Sequence, residues 1–486
     1  MTVDLATARY GGEVVWCSDE FFAAASNLVN PGAPVWREDE FTDHGKWMDG
    51  WETRRRRDEA PCDSCVVRLG LPGVVESVTV DTSHFTGNYP ESFSLEACGA
   101  PTERLEEAEW VEIISRTPLT GDTVAEFDVS DPHRVTHVRL NIYPDGGVAR
   151  LRVRGFPVPA RDLVCPEEGE MDLALAPLGG TAVEASDAHF SSPANLVSPG
   201  DPEGMWDGWE TARRRGPGHD WVAVRLGLPG TIHRFDVDTR CFKGNSPGWV
   251  TLDVALGEGD WEEVCQRVDV SADTINPVAL EAPVEADRVR LNIHPDGGVA
   301  RLRVWGRPEP AAAARVRVDY LNRLFEQDAR HFFATACQSR RWVSEVVGGR
   351  PFGSATEVLR AAEEAFQLLG PDDWDEAFAA HPRIGERSGG QTAGGERMST
   401  TEQSGVDPDD SAIRTELIEV NRAYEERFGF TYIVRAAGRS GEEMLALARQ
   451  RLSNDPATER EMAAGQQREI TRLRLRRMLC LPEEEE

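Results

Sequence analysis

Three observations predict two all-β domains in tandem followed by an all-α domain. The first two-thirds of the chain repeats itself. The apolar residues of that part alternate with a period of two. Beyond about residue 310 the apolar spacing becomes helical.

The repeat has a period of roughly 150–170 residues, far too long for a solenoid, so each unit is a domain in itself. SerAsnLeuVal at 26–29 returns as AlaAsnLeuVal at 194–197. MetAspGlyTrpGluThr at 48–53 returns as TrpAspGlyTrpGluThr at 206–211, and both copies run into arginines. ArgLeuGlyLeuProGly at 68–73 returns at 225–230. AspThrSerHisPheThrGlyAsn at 81–88 becomes AspThrArgCysPheLysGlyAsn at 238–245. The segment 139–153 recurs almost unchanged at 290–304.

Within a unit, Val78, Val80 and Thr82 alternate with polar residues, as do Val138, Leu140 and Ile142. Gly, Pro and Asp punctuate the pattern every ~8–12 residues, which predicts a sandwich or jelly roll. The LeuProGly at 71–73 reads as a turn between strands. Proline-rich segments 156–178 and 307–314 read as linkers. In the tail, Leu359, Ala362, Phe366 and Leu369 fall at helical spacing. So do Ile413, Leu417, Asn421, Tyr424 and Phe428, then Met444, Leu447, Ala448 and Leu452, and a last helix fits 456–479. The Gly-rich polar stretch 385–396 reads as a mobile loop. The expected domains are 1–160, 161–310 and 315–486.

Composition narrows the function. The chain has 486 residues and a formal net charge of -31. That excludes a general attraction to nucleic acid or an anionic membrane, and leaves local basic pockets as the route for an anionic ligand. No stretch approaches the ~18–20 apolar residues of a membrane helix. The N-terminus shows no basic segment followed by an apolar run, so no signal peptide is expected and the cytoplasm is the expected compartment. Nine cysteines, an odd and scattered set, fit a reduced compartment. The CysXXCys at 62–65 has no second pair and reads as two loop cysteines.

Chemistry-bearing residues cluster in both parts. In the tail, His381 precedes Pro382, which keeps it from helical conformation and sets it at a helix exit. SerThrThrGluGln at 399–403 and the apolar PheGlyPheThrTyrIleVal at 428–434 follow, and the backbone N–H groups of the latter suit a carbonyl or carboxylate oxygen. Arg472 and Arg474 sit on the last helix. A His with a carboxylate, a hydroxyl, an amide and arginines suits proton transfer on a small anion, although a lone His in a helical domain is more often structural. In the repeats, Asp49, Glu52 and Arg54–Arg57 match Asp207, Glu210 and Arg213–Arg215, a pattern that suits a carboxylate-binding wall. Trp51 and Trp209 read as packing anchors, and Asp145 and Asp296 as turn residues. His84 aligns with Cys241, and Thr86 with Lys243, so one copy is a candidate for chemistry and the other for support; drift after duplication is the plainer alternative.

The tail motifs HisProArgIleGlyGluArg, SerThrThrGluGln, AsnArgAlaTyrGluGluArgPheGlyPhe, ArgLeuSerAsnAsp and LeuArgLeu resemble 2-oxo-4-hydroxy-4-carboxy-5-ureidoimidazoline (OHCU) decarboxylase over about 315–478. That family is all-helical and uses no cofactor. It removes CO2 from OHCU to give (S)-allantoin. The resemblance implies His381 as main acid/base with Glu402 as partner, Pro382, Ser399 and Gln403 against substrate, backbone from Phe430 to Ile433 on its oxygens, and Arg474, or its rival Arg472, as the cation. The repeat motifs resemble allantoicase over about 10–307. That family folds as two tandem jelly rolls related to galactose-binding-like modules. It hydrolyses allantoate, a linear amidine-type ureide, to (S)-ureidoglycolate and urea. By position, Asp49, Glu52 and His84 are the catalytic candidates, and Arg54, Asn88, Asp207, Glu210 and Asn245 the binding candidates. No strong metal signature is present, and the resemblance leaves room for a divalent metal in the allantoicase part. A bifunctional ureide-catabolism enzyme, a homo-oligomer acting on small ureides, is the expectation. The competing expectation is a non-catalytic binding or scaffold module attached to an active decarboxylase.

Overall fold

The computed structural model describes residues 2–165, 169–381, 411–436 and 439–482. The chain divides into two compact units, Met1–Arg323 and Leu324–Glu486. The first is all-β apart from short helical turns and one closing helix, and holds both repeats; the second is helical.

Each repeat is organised around one long strand. In the first, Asp63–Asp81 pairs through residues 65–68 with Glu13–Cys17 and through 63–68 with Arg134–Tyr143. Its far half pairs with Val124–Asp128 and with Arg150–Pro157. One strand thus serves both faces of the sandwich, and Val67, Val78, Val80, Leu140, Ile142 and Leu151 from these strands are fully buried. The LeuProGly at 71–73 is therefore no turn. It lies inside the continuous strand, where pairing shifts between Arg68 and Gly73. Glycine is needed there because a Cβ on Gly73 would meet the Phe156 carbonyl at 2.2 Å. The second repeat copies this with Asp220–Asp238. Its Ile275–His294 runs as one strand where the first repeat has two, Val124–Asp128 and Arg134–Tyr143.

Both expected linkers carry structure. Arg161–Val164 is a helical turn with Val164 buried, and Met171–Asp172 is already a strand of the second sheet. Pro308 ends the last strand, and Pro310 opens a helix, Pro310–Asn322, that belongs to the first unit. Proline at a first helical position loses no hydrogen bond, which explains why a proline-rich run starts a helix.

The helical unit runs through Glu326–Ala334, Arg340–Gly348, Ala355–Gln367, Pro371–Ala379, Ser411–Phe428, Gly441–Arg451 and Pro456–Met478. Ser339, Ser354, Ser440 and Asp455 cap their helices with side-chain oxygens. Phe378, Tyr424, Phe430, Tyr432, Ile433 and Met444 share one core, so the non-helical segment 430–434 is packed rather than loose.

Candidate active sites

In the first sandwich Trp51–Glu52 pairs with Gly147–Val148. Gly147 admits the Phe85 ring, which a Cβ would meet at 2.1 Å. Phe85 is fully buried and brings its loop to the same end of the sandwich. From that loop Asn88 Nδ2 donates to Glu52 Oε1 at 2.8 Å. Burial raises the Glu52 carboxyl above its usual range, and the Asn88 hydrogen bond opposes the rise. The second sandwich repeats the arrangement. Trp209–Glu210 pairs with Gly298–Val299, and Asn245 Nδ2 donates to Glu210 Oε1 at 2.6 Å.

Asp49 and Asp207 have another role. Asp49 Oδ2 accepts from Arg150 Nη2 and from the Val35 N–H, each at 2.8 Å. Arg150 is buried and also donates to the main chain of Asp49 and Gly32. Asp207 is held by the buried Arg301 at 2.6 Å. These carboxylates are internal counter-ions, and the expectation of chemistry at Asp49 and of binding at Asp207 gives way to a structural reading. Arg54, expected to bind substrate, is engaged by Asp19, with Nε to Oδ2 at 2.7 Å. Arg56 is taken by Asp63, and its N–H by Asp145. In the second copy Arg214 pairs with Asp220 and gives its N–H to Asp296. Asp145 and Asp296 are thus turn residues, as read. Arg55, Arg57, Arg213 and Arg215 are exposed and make no ion pair among the described residues. Trp51 and Trp209 are fully buried anchors.

His84 adopts a left-handed backbone, φ +70°, with its N–H on Asp122 at 2.8 Å. Its Nε2 faces the Pro34 carbonyl at 3.4 Å, and its ring lies against Trp36. Asp49 therefore orders the loop that His84 touches. Cys241 has the same pose, φ +72°, with its N–H on Asp273. The two copies share a backbone and differ in what it presents. Among the described residues, no three His, Cys, Asp or Glu side chains group closely enough to hold a metal ion. With one carboxylate and one amide each, the Glu52–Asn88 and Glu210–Asn245 pairs do not supply the ligand set of a divalent cation.

In the helical unit His381 follows the helix Pro371–Ala379, its N–H on the Phe378 carbonyl at 3.0 Å. It lines a cleft of about 690 Å³ with Asp375, Ala379, Glu425, Gly429, Phe430 and Thr431. Burial, then the Arg474 cation, push the imidazole down to about 3, and the Gln467 side chain opposes them. The ring is therefore neutral at pH 7. Arg474 is buried beside it, whereas Arg472 is exposed.

Phe430 and Thr431 line the cleft with His381, and residues 430–434 donate no backbone N–H bond to any described group. Among the described residues these N–H groups have no partner, so they suit an acceptor. The segment is fixed from behind: Arg451 Nη1 donates to the Ile433 carbonyl at 2.7 Å. Arg451 in turn is paired with the fully buried Glu459 at 2.6 Å, which also takes the Tyr424 hydroxyl and Asn454 Nδ2. Sequence reading caught Arg451 and Asn454 only as motif letters and Tyr424 only as a motif and helix-face residue, and missed Glu459, Arg150 and Arg301. A hint was the repeated arginine in GlyGlyValAlaArg. Pro382, Ser399, Glu402, Gln403 and the stretch 385–396 lie outside the described residues.

Residues 3–158 and 171–309 match the allantoicase repeat model, and residues 322–476 match the OHCU decarboxylase model. A probable allantoicase from Pseudomonas aeruginosa (strain LESB58) is 47% identical over 325 residues, spanning 63% of this chain and 96% of that protein. One from Photobacterium profundum is 45% identical over 318 residues, spanning 63% and 96%. The crystal structure of allantoicase from Saccharomyces cerevisiae superposes with a TM-score of 0.55 at 36% identity, covering 63% of this chain and 93% of that one.

Proposed function

From the premise that the chain belongs to the allantoicase family and carries an OHCU decarboxylase domain, and so is a bifunctional enzyme of purine catabolism, we propose the following division of labour. The β unit hydrolyses allantoate to (S)-ureidoglycolate and urea. The helical unit removes CO2 from OHCU and yields (S)-allantoin.

The Glu–Asn pair, built twice, carries the first reading. Glu52, raised by burial, takes a proton from water as oxygen attacks the central carbon. The C–N bond to one ureido group breaks, and the proton passes to the leaving nitrogen, which departs as urea. Asn88 gives one N–H to Glu52 and keeps its amide oxygen for a ureido N–H. The exposed Arg55 and Arg57 attract the carboxylate. For the decarboxylation, neutral His381 accepts the substrate hydroxyl proton or returns one to carbon after CO2 leaves. Arg474 and the N–H groups of 430–434 stabilise the developing negative charge. The decarboxylation in this proposal needs no cofactor. Homo-oligomerisation stays part of the proposal; it is supported by Trp36, Phe41, Phe190 and Trp206, large and exposed on the β unit.

The test uses the full chain. Allantoate should release urea, and freshly generated OHCU should give optically active allantoin, followed by circular dichroism. Allantoate bound without urea release would support the binding-module reading instead.

A further inference from the structure

One loop separates the two copies of the sandwich. It begins alike in both. The Pro34 carbonyl faces His84 Nε2 at 3.4 Å, and the Pro202 carbonyl faces Cys241 Sγ at 4.0 Å. The next residue gives its N–H to an aspartate, Val35 to Asp49 at 2.8 Å and Glu203 to Asp207 at 3.3 Å. That aspartate lies 14 positions on in the first copy and 4 in the second, so the first carries ten extra residues. They form a hairpin, Phe41–Thr42 against Gly45–Lys46, that staples itself. The Lys46 ammonium stands over the Trp36 and Phe41 rings at 4.6 and 5.0 Å, and donates to the Arg37 carbonyl at 2.6 Å.

The hairpin touches both elements that hold the Glu52–Asn88 pair. His44, in its turn, stacks on Phe21 with ring centroids 4.2 Å apart. The two residues after Phe21 give their N–H groups to the Glu52 carbonyl. Trp36 lies 5.7 Å from His84, on the loop that carries Asn88. A third difference joins these two. The N–H groups of Arg54 and Ala212 take the same seat, on Asp19 and Asp187, each at 2.8 Å. Ala212 has nothing to match the Arg54 guanidinium, which stands 5.3 Å from the Phe21 ring. Independent drift has no reason to bring an insertion, Arg54 for Ala212 and His84 for Cys241 together around one Glu–Asn pair.

The central carbon of allantoate bears a hydrogen, a carboxylate and two identical ureido groups. Replacing one or the other by hydroxyl gives opposite enantiomers, so a single enantiomer requires the two arms to sit in different surroundings. The Glu52–Asn88 pair defines the place of the arm that leaves. We propose that the hairpin 36–47, through Trp36 and His44, holds the arm that stays, which makes the first copy the hydrolytic one and fixes the hand of the product. This rests on the hydrolase reading above. Trp36 is 47% exposed and His44 is exposed, so both rings are open to a planar ureido group.

The test uses the full chain with allantoate, and reads urea together with the optical activity of freshly formed ureidoglycolate. Wild type should give one enantiomer. Deleting residues 36–45 leaves Val35 four positions before Asp49, the spacing with which the second copy closes the same loop. In that variant kcat/KM should fall about 10-fold or more and the product should become a mixture of enantiomers. Trp36→Ala and His44→Ala should act in the same direction and cover the case of a deletion that does not fold, and Trp36→Phe should recover most of the rate and the single hand. Trp206→Ala, on the second copy, should change neither. Full urea release and a single enantiomer from the folded deletion, with Glu52→Gln inactive, overturn the inference alone. A slower rate with the hand unchanged also overturns it, and a smaller molar mass by light scattering then makes the hairpin a subunit contact. Urea release lost in Glu210→Gln and kept in Glu52→Gln overturns it by placing the chemistry in the second copy. No urea from the wild type overturns the hydrolase reading beneath it.

Discussion

Replacing Arg451 by Met tests how the helical site is held. Glu459 is fully buried, and its carboxylate is met by Arg451 at 2.6 and 2.7 Å, by the Tyr424 hydroxyl and by Asn454. Removing the guanidinium leaves a buried carboxylate without its counter-charge, which costs about 3–5 kcal/mol. For a unit of this size, each kcal/mol moves the midpoint by about 2–4 °C, so the helical unit should melt about 6–20 °C lower. Ellipticity at 222 nm, dominated by the helices, reports that transition. Arg451 also holds the Ile433 carbonyl at 2.7 Å, so decarboxylation should fall even well below the new midpoint, while urea release stays unchanged. Replacing Glu459 by Leu in the same chain removes the orphaned charge and should recover part of the loss. A midpoint within about 2 °C of wild type in the single variant would falsify the reasoning, because a buried pair cannot be broken at no cost.

Three further outcomes follow from the sites. His381 stands at about 3 in the folded chain against an ordinary value of 6.5. Above 6.5 it is neutral in both states. Below that the unfolded chain binds a proton that the folded one refuses, so this group's contribution turns against folding as pH falls from 6.5 toward 3. The kcat/KM profile for decarboxylation should accordingly show no histidine ionisation between about pH 5 and 8; a limb near 6.5 would contradict the burial argument. Glu52→Gln or Glu210→Gln should lower urea release by about 10²–10⁴ in whichever copy does the chemistry, with thermal stability retained. Equal, modest effects from both would assign the pair to binding. Asp49→Asn strands the buried Arg150, so it should destabilise the β unit by about 3–5 kcal/mol, read in its melting rather than in a selective change of kcat.

Much of this was visible in the letters, and the rest failed for identifiable reasons. The duplicated motifs and period-two alternation gave the two sandwiches because a sheet with one buried face must alternate. LeuProGly misled because Pro–Gly is the strongest turn signal, whereas here the glycine admits the Phe156 carbonyl inside a bent strand. ProGluProAla misled because proline is compatible with a helix start as well as a linker. Glu52, Asn88, Glu210 and Asn245 stood out singly because each recurs in both copies; that each Glu meets its Asn was not legible. Arg150 lies 101 positions from Asp49, and no local pattern announces such a pair. Arg474 and Arg472 were indistinguishable by motif alone. Helical periodicity separates them, since Gln467, Ile470, Thr471, Arg474 and Met478 mark the buried face and Arg472 falls off it.

A net charge of -31 is a poor starting point for an enzyme whose proposed substrates are anions. The arginine runs resolve this by alternating in use. Arg54 and Arg56 are engaged by Asp19 and Asp63, and Arg214 by Asp220. The residues between and beside them, Arg55, Arg57, Arg213 and Arg215, are exposed and make no ion pair among the described residues. Screening limits the reach of distant acidic groups to about 8–10 Å at physiological salt, so an arriving carboxylate responds to these arginines more than to the sum over the chain. Replacing Arg55 and Arg57 together by Gln should therefore raise KM for allantoate several-fold, leave kcat nearly unchanged and weaken its salt dependence. The same change at Arg213 and Arg215 asks whether the second copy also receives substrate. If neither pair alters KM or its response to salt, the runs are solvated edges, and the carboxylate must be met elsewhere.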